Sequence, residues 1–242
     1  MRQVLFVYGM VCYLIFFCTF LYAAGFTGNL WVPKSIDSGE HGSVLLALVV
    51  NTLLLGVFAV QHSVMARQEF KQKWTVFVPK EIERSTYVLL ASLALILMFA
   101  SWRPIGGVIW DFSDSIVGSL FWLLFVFGWL IVLASTFMIN HFELFGLNQV
   151  YAHWRGGELP DLSFRTPYLY NYVRHPIYLG FILAFWSAPV MTGGHLLFAL
   201  GATGYILVGI FLEEKDLIAA HGDLYKDYKS KVSMLIPMRP KA

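Results

Sequence analysis

The sequence predicts an all-α integral membrane protein: a bundle of five to six transmembrane helices with a C-terminal helical hairpin and a cytoplasmic amphipathic tail. Three observations carry this. Of 242 residues, 58% are hydrophobic and only 13% are charged, where a soluble domain carries about a quarter charged residues. The apolar residues gather into six stretches separated by short polar segments. Fifteen of the 17 Lys and Arg fall in alternate connecting segments, as the positive-inside rule requires of a protein that crosses a bilayer repeatedly.

The first stretch runs from Val4 to Ala24. Arg2 before it and Ala23-Ala24-Gly25 after it have the outline of a signal peptide, but the run exceeds the roughly 7–15 residues of a signal core, so we read it as a retained span. Cys12 and Cys18 both lie inside it. They form neither a disulfide framework nor a metal-ligand pattern and read as small core or lipid-facing residues. The second stretch, Val44 to Gln61, carries Asn51 mid-span, a buried polar group that calls for a helix-packing hydrogen bond. The third and fourth run from Thr86 to Trp102 and from Ile116 to Met138. All four reach the roughly 17–25 residues that span a bilayer. The fifth, Ile177 to Met191, is shorter, and only Thr192-Gly193-Gly194 separates it from the sixth, His195 to Leu212. These two read as a tight hairpin whose first arm is tilted or does not cross fully.

With the N-terminus inside, the outer segments carry only Lys34 and Arg103 among the cations. The expected topology is therefore multi-pass with both termini cytoplasmic, and the expected location is the bacterial inner (cytoplasmic) membrane. The chain reads as a single membrane domain over 1–242, with four transmembrane helices in 1–139 and a loop, the hairpin and the tail in 140–242. Arg155 to Asp161, rich in glycine and ending beside Pro160, reads as a loop. Leu217 to Val232 has helical spacing of apolar and aromatic groups, and Pro237 and Pro240 end it.

Several function classes are excluded. The net charge of +2 and the absence of a basic groove-binding patch argue against a nucleic-acid partner. No glycine-rich loop follows a strand, which rules out a Rossmann-type nucleotide fold. No His or Cys pair has zinc or iron spacing within one element, so no metal is expected.

Two motifs carry the chemistry. Arg174-His175-Pro176-Ile177-Tyr178-Leu179-Gly180 opens the hairpin, and Glu213-Glu214-Lys215-Asp216-Leu217 closes it. In an antiparallel hairpin the two meet at one depth. Pro176 suits the first helical position, and that helix N-terminus offers free N–H groups and a positive dipole end. Arg174 adds a carboxylate or phosphate binder. The two carboxylates accept from an ammonium or a ribose diol, and Tyr168, Tyr170, Tyr172 and Tyr178 supply faces for a cation. S-adenosylmethionine satisfies all of these groups; a nucleotide or a phospholipid headgroup satisfies some of them. The plain alternative is that the cations are membrane anchors, the aromatics an interfacial belt and the glutamates solvated, although a negative pair at a helix C-terminus opposes the dipole and asks for a partner.

The pattern Arg174-His175-Pro176-x-Tyr178-x-Gly180, then Glu213-Glu214-x-x-Leu217, then Gly222-x-x-Tyr225-x-x-Tyr228 and Pro237 resembles the isoprenylcysteine carboxyl methyltransferase superfamily of membrane methyltransferases. Upstream, Gln61-His62-Ser63-Val64-Met65-Ala66-Arg67 and Phe142-Glu143-Leu144-Phe145-Gly146-Leu147-Asn148-Gln149 look like the branch of methanethiol S-methyltransferases, which make dimethyl sulfide. That branch is also similar to membrane accessory proteins of nitric oxide reduction. The resemblance implies that the whole chain is one methyltransferase domain using S-adenosylmethionine. Carried over by position, Tyr168, Tyr172, Arg174, His175, Tyr178, Leu179 and Gly180 would line the cofactor pocket with Gln149, and Glu213 and Glu214 would close it. Thr166-Pro167-Tyr168 stands where many relatives have Gly-Pro-Tyr.

Methyl transfer to sulfur needs the thiol held in line with the donated methyl, and the nucleophile is the thiolate. A small alkyl thiol is weakly acidic, so a base or a cationic surrounding assists. His62 and His141, at the inner ends of the second and fourth stretches, are the candidate bases, because histidine is the usual base near neutral pH. The expected partners are a small thiol, methanethiol first, and the lipid bilayer. A lipid or prenylcysteine acceptor, a non-enzymatic accessory protein of denitrification and a sterol-type reductase are the competing readings.

Overall fold

In the computed structural model, residues 1–157 and 164–237 are described. Among the described residues five helices are long and apolar enough to cross a membrane: α1 (Arg2–Gly28), α2 (Val44–Ala66), α4 (Lys80–Ser101), α5 (Ile116–Ile139) and α9 (Gly193–His221). Shorter elements join them: α3 (Gln68–Trp74), α6 (His141–Leu144), α7 (Leu147–Arg155), α8 (Pro176–Trp186) and α10 (Asp223–Lys231), with strands β1 (Val108–Asp111) and β2 (Val190–Thr192). Long apolar side chains such as Leu45, Leu53, Val60, Leu123, Phe127 and Phe211 stand exposed along the spans. In water such a surface would be a liability; against acyl chains it is the outer wall of an all-α, multi-pass membrane protein. Cys12 is buried and Cys18 exposed.

The chain forms two compact units. The first comprises Met1–Gly107, Asn140–Asp161 and Thr192–His195. Here α1 packs on α4 and α7, and α2 packs on α4. Asn51 is fully buried and satisfied as expected, but its partner is the backbone where α4 has ended: Nδ2 donates to the Arg103 carbonyl (2.7 Å) and Oδ1 accepts from the Arg103 N–H (2.9 Å). Gly146 turns the chain between α6 and α7 at φ 89°, a conformation that favours glycine, and a Cβ there would sit 2.6 Å from Ser85 Oγ.

The second unit comprises Val108–Ile139, Leu162–Met191 and Leu196–Ala242. Its α5 and α8 approach backbone to backbone, because Gly128 and Gly180 face each other: a Cβ on Gly180 would lie 2.7 Å from the Gly128 carbonyl oxygen. Small residues at a helix crossing permit this proximity in a membrane. Trp129 closes the contact edge-on to Phe181 and Phe185.

The hairpin exists, and three rungs fix its antiparallel register. Tyr178 meets Glu213, Trp186 Nε1 donates to Thr203 (2.9 Å), and Phe185 packs on Phe198. Its first arm ends sooner than the hydrophobic run suggests. The helix stops at Trp186, and β2 then pairs with β1 in a two-stranded ribbon. Eleven residues rise only about 17 Å, so α8 by itself is too short for a core of about 30 Å, and residues 187–189 with β2 continue the arm.

The tail departs from the single helix expected over Leu217–Val232. Gly222 at φ 56° breaks it into the end of α9 and a separate α10. Neither Pro237 nor Pro240 ends α10. Val232 is already extended, since Ser233 pairs in parallel with Val173. Pro240, like Glu158–Asp161 of the expected loop, lies outside the described residues; Arg155–Gly157 of that loop are the last turn of α7 and its left-handed glycine cap at Gly156.

Candidate functional site

The second unit gathers Arg174, His175, Tyr178, Glu213 and Glu214 as the hairpin geometry demands. Pro176 occupies the first position of α8, so His175 caps it and Arg174 directly precedes it. Arg174 Nε donates to Glu214 Oε1 at 2.8 Å, with 9% and 8% of the two side chains exposed. His175 Nε2 lies 3.2 Å from the same oxygen, and Lys229 Nζ sits 2.5 Å from Glu214 Oε2. Glu214 thus has three donors. A buried ion pair offsets its desolvation only when the remaining lone pairs and protons are also satisfied, and here both Glu214 oxygens have donors. Arg174 Nη1 also donates to the carbonyls of Lys229 (3.2 Å) and Val232.

The backbone reinforces this. Arg174 N–H donates to Ser233 O (2.8 Å) and His175 N–H to Met234 O (3.2 Å), which ties the foot of α8 to the segment after α10. Arg174 is therefore first a keystone of its own chain. The sequence suggested a carboxylate or phosphate binder for a ligand; the structure turns its Nε and Nη1 donors to Glu214 and two carbonyls.

Glu213 is different. Its side chain is 45% exposed, the Tyr178 hydroxyl donates to its Oε2 at 2.9 Å, and His175 Nδ1 lies 3.7 Å away. Burial and then the Glu213 carboxylate push the Tyr170 hydroxyl pKa up. Beside them, Phe164 packs on His221, Tyr225 and Tyr228. Tyr228 donates to the Tyr170 carbonyl at 2.6 Å, and burial pushes its pKa up to about 12. Tyr225 is only 1% exposed, yet its hydroxyl has no hydrogen-bond partner among the described residues. A buried, unsatisfied hydroxyl costs about 1–3 kcal/mol, so Tyr225 is a candidate to bond a polar group that enters here. A cleft of about 250 Å³ opens against Glu214 and Lys229, walled by Phe211, Lys215 and Ile218.

Tyr168 and Tyr172 stand 74% and 67% exposed at the ends of a 3₁₀ turn, with Tyr168 at φ 47°. Leu179 is partly exposed, one turn into α8. Gly180 is spent on the crossing with Gly128, a packing role that the family comparison did not suggest. Gln149 belongs to the first unit, on α7, where its amide donates to the Glu143 carbonyl (3.1 Å) and its buried oxygen has no partner among the described residues.

Both candidate bases also lie in the first unit. His141 is 3% exposed, with Nε2 2.9 Å from the Tyr13 hydroxyl and its pKa lowered by burial. His62 is half-buried on α2, beside the Tyr87 hydroxyl. Sequence reading missed Tyr13, Tyr87 and Lys229 as partners. The Tyr225–Tyr228 spacing pointed to the face on which Lys229 sits, but no local pattern announces a contact between residues 25 or 128 positions apart. Among the described residues no group of three His, Cys, Asp or Glu gathers to hold a metal.

The NnrU protein family model matches residues 47–216. The methanethiol S-methyltransferase of Mycobacterium tuberculosis is 57% identical, the match covering 98% of this chain and 97% of that protein. Methanethiol S-methyltransferase 1 of Bradyrhizobium diazoefficiens is 58% identical over 98% of this chain and 84% of its own length. The nurim of Rattus norvegicus is 34% identical over 74% of this chain and 71% of its own. No solved structure matches. The chain belongs to the NnrU protein family, on the side of it occupied by curated methanethiol S-methyltransferases.

Proposed function

We propose that this protein transfers a methyl group from S-adenosylmethionine to methanethiol, giving dimethyl sulfide. The observation that carries the reading is identity above one half, over nearly the full length of both chains, to a methanethiol S-methyltransferase. Identity of that extent supports a shared reaction far more strongly than a shared fold alone would. The local chemistry supports the donor. Glu213 offers a carboxylate for a ribose diol or an ammonium, the buried Tyr225 hydroxyl awaits a partner, and Tyr168, Tyr172 and Tyr178 offer faces to a sulfonium and a flat base.

When bound, S-adenosylmethionine supplies an electrophilic methyl on a sulfonium. The chain's own work is to orient it. Arg174, His175 and Glu214 hold the foot of α8 rigid, Tyr178 fixes Glu213, and Leu179 lines the proposed pocket. His62 or His141 takes the proton of the thiol. The 242 residues act as one methyltransferase domain in the cytoplasmic membrane, both termini inside, as the placement of 15 of 17 cationic side chains supports.

The test is headspace detection of dimethyl sulfide from purified protein in detergent, given S-adenosylmethionine and methanethiol. Saturable product is expected. Donor binding without product would transfer the reading to a lipid or prenylcysteine acceptor, and no donor binding would favour an accessory protein.

A further inference from the structure

Where α1 and α4 finish and α2 begins, the first unit opens a cleft of about 420 Å³. Small-molecule sites occupy about 300–1,000 Å³. Lys34, Glu40, Val50, Ala100, Ser101 and Arg103 line it, and all belong to this one unit. In the topology proposed above, Lys34 and Arg103 are the two cations on the outer side, where the positive-inside bias disfavours them. Both have been placed on the same cleft.

A helix side chain clamps the backbone of each. The Tyr22 hydroxyl of α1 donates to the Lys34 carbonyl (2.8 Å) and accepts from the Lys34 N–H (3.3 Å). Asn51 of α2 does the same for Arg103, at 2.7 and 2.9 Å. The loop between α1 and α2 is pinned further along: the Ile36 N–H donates to the Phe26 carbonyl (3.0 Å), and Asn29 Nδ2 donates to Asp37 Oδ2 (2.8 Å). The positions of the two cations are therefore fixed while their heads stay available. The Lys34 ammonium gives one bond, to the Ala100 carbonyl (2.9 Å), and an ammonium has three donors. Among the described residues the Arg103 guanidinium and the Glu40 carboxylate have no hydrogen-bond or ion-pair partner.

The lining has two chemical halves. A guanidinium and an ammonium suit a phosphodiester. A carboxylate beside the C-terminal end of α4, the negative end of its dipole, suits an ammonium. The depth fits a lipid. Trp31, almost fully exposed just before this loop segment, stands as interfacial tryptophans do at the level of headgroups. Below the cleft, Leu46, Val50, Leu53 and Val57 share one face of α2, and Leu46, Leu53 and Val57 are exposed along it. That apolar lane begins in the cleft and gives an acyl chain somewhere to lie, which a free phosphate ester would not use.

We propose that this cleft binds an ethanolamine-type phospholipid: Arg103 and Lys34 hold the phosphodiester, Glu40 and the end of α4 receive the ammonium, and the α2 lane carries an acyl chain. Basic pockets among membrane helices hold headgroups in this way. The site stands whether or not the protein methylates a thiol.

The experiment takes the full-length protein, stripped of lipid by detergent exchange, and titrates it with micelles carrying dioleoylphosphatidylethanolamine while the thermal unfolding midpoint is read. A ligand that binds only the folded state raises the midpoint with its concentration. A saturable rise is expected. Dioleoylphosphatidylcholine, whose quaternary ammonium has no N–H to give Glu40, is expected to need about 10-fold more lipid for the same rise. Arg103→Gln keeps the backbone bonds to Asn51 and is expected to need about 10–100-fold more ethanolamine lipid. Glu40→Gln, whose side chain bonds to nothing in the fold, is expected to bring the two lipids within about twofold and reads the headgroup even if Arg103→Gln proves unstable. Equal response to the two lipids in the wild type, a wild-type titration in a folded Arg103→Gln, or an undiminished preference in Glu40→Gln would overturn the assignment. Glycerophosphoethanolamine, the headgroup without acyl chains, is expected to leave the midpoint unmoved at the concentration that saturates with lipid; an equal rise would replace the lipid by a free phosphodiester. Dimethyl sulfide plays no part in this readout, so the two readings fail separately.

Discussion

The two units handle polar groups in opposite ways. The second concentrates charge: Arg174, His175, Glu214 and Lys229 lock together at the foot of a helix hairpin, and backbone carbonyls of the segment beyond α10 hold Arg174 and His175. The first uses neutral pairs, a tyrosine hydroxyl on each of two histidines, set among phenylalanines. Unpaired charge near a bilayer is costly, so the charged cluster has to be complete to exist at all. A neutral hydrogen bond is worth only about 0.5–1.5 kcal/mol net, so the tyrosine–histidine pairs contribute orientation more than stability. The charged cluster should therefore fail abruptly on single substitution and the aromatic one gradually.

The largest effect is expected at Arg174 and Glu214. Glu214→Ala leaves the buried Arg174 guanidinium without its carboxylate and Arg174→Ala takes one of three donors from Glu214; breaking a buried pair costs about 3–5 kcal/mol, and each variant is expected to abolish S-adenosylmethionine binding by calorimetry and to lower the unfolding midpoint in detergent. Arg174→Lys should rescue little, since an ammonium presents its donors from one point and cannot reach as the guanidinium does, with Nε on Glu214 and Nη1 on two carbonyls. Wild-type affinity in either alanine variant would remove the site from the hairpin foot.

A smaller effect is expected at the crossing of α5 and α8. Gly180→Val forces a side chain against the Gly128 carbonyl and Val132, and overpacking of this kind costs about 1–3 kcal/mol. Thermal unfolding should report that loss. An unchanged midpoint would mean that the two helices do not meet through glycine.

The smallest effects lie in pH dependence, and they have opposite signs in the two units. Burial lowers the His141 pKa in the folded protein, so the unfolded chain binds the proton first. The stability it contributes is fully present above about pH 6.5, the unfolded value, and falls as pH drops below it. Burial raises Tyr228 to about 12, so there the unfolded chain loses its proton first, and stability present below about pH 10 falls as pH rises toward 12. His141→Gln should flatten the acid limb of midpoint against pH, and Tyr228→Phe the alkaline limb. Limbs unmoved by these substitutions would assign the titrations to other groups.

Much of the site was legible because hairpin geometry is simple: once Ile177 and Leu212 are read as the inner ends of adjacent arms, Arg174 has to meet Glu214. The roles within it were less legible. Arg174 reads as a ligand binder by residue type, and only the path of the chain after Gly222 shows that Ser233 and Val232 claim its neighbourhood. Gly180 reads as a pocket residue by family pattern, and only its proximity to Gly128 reveals a packing constraint.

By itself the sequence determined the class, the spans and the pairing of the two motifs, because hydrophobic length against bilayer thickness and the cost of misplaced charge are properties of segments. The tertiary structure decided where α8 stops, how α10 turns back, which tyrosine serves which histidine and which carboxylate is left half-exposed. Those depend on contacts between residues far apart in the chain, whose energies exist only once the segments are packed.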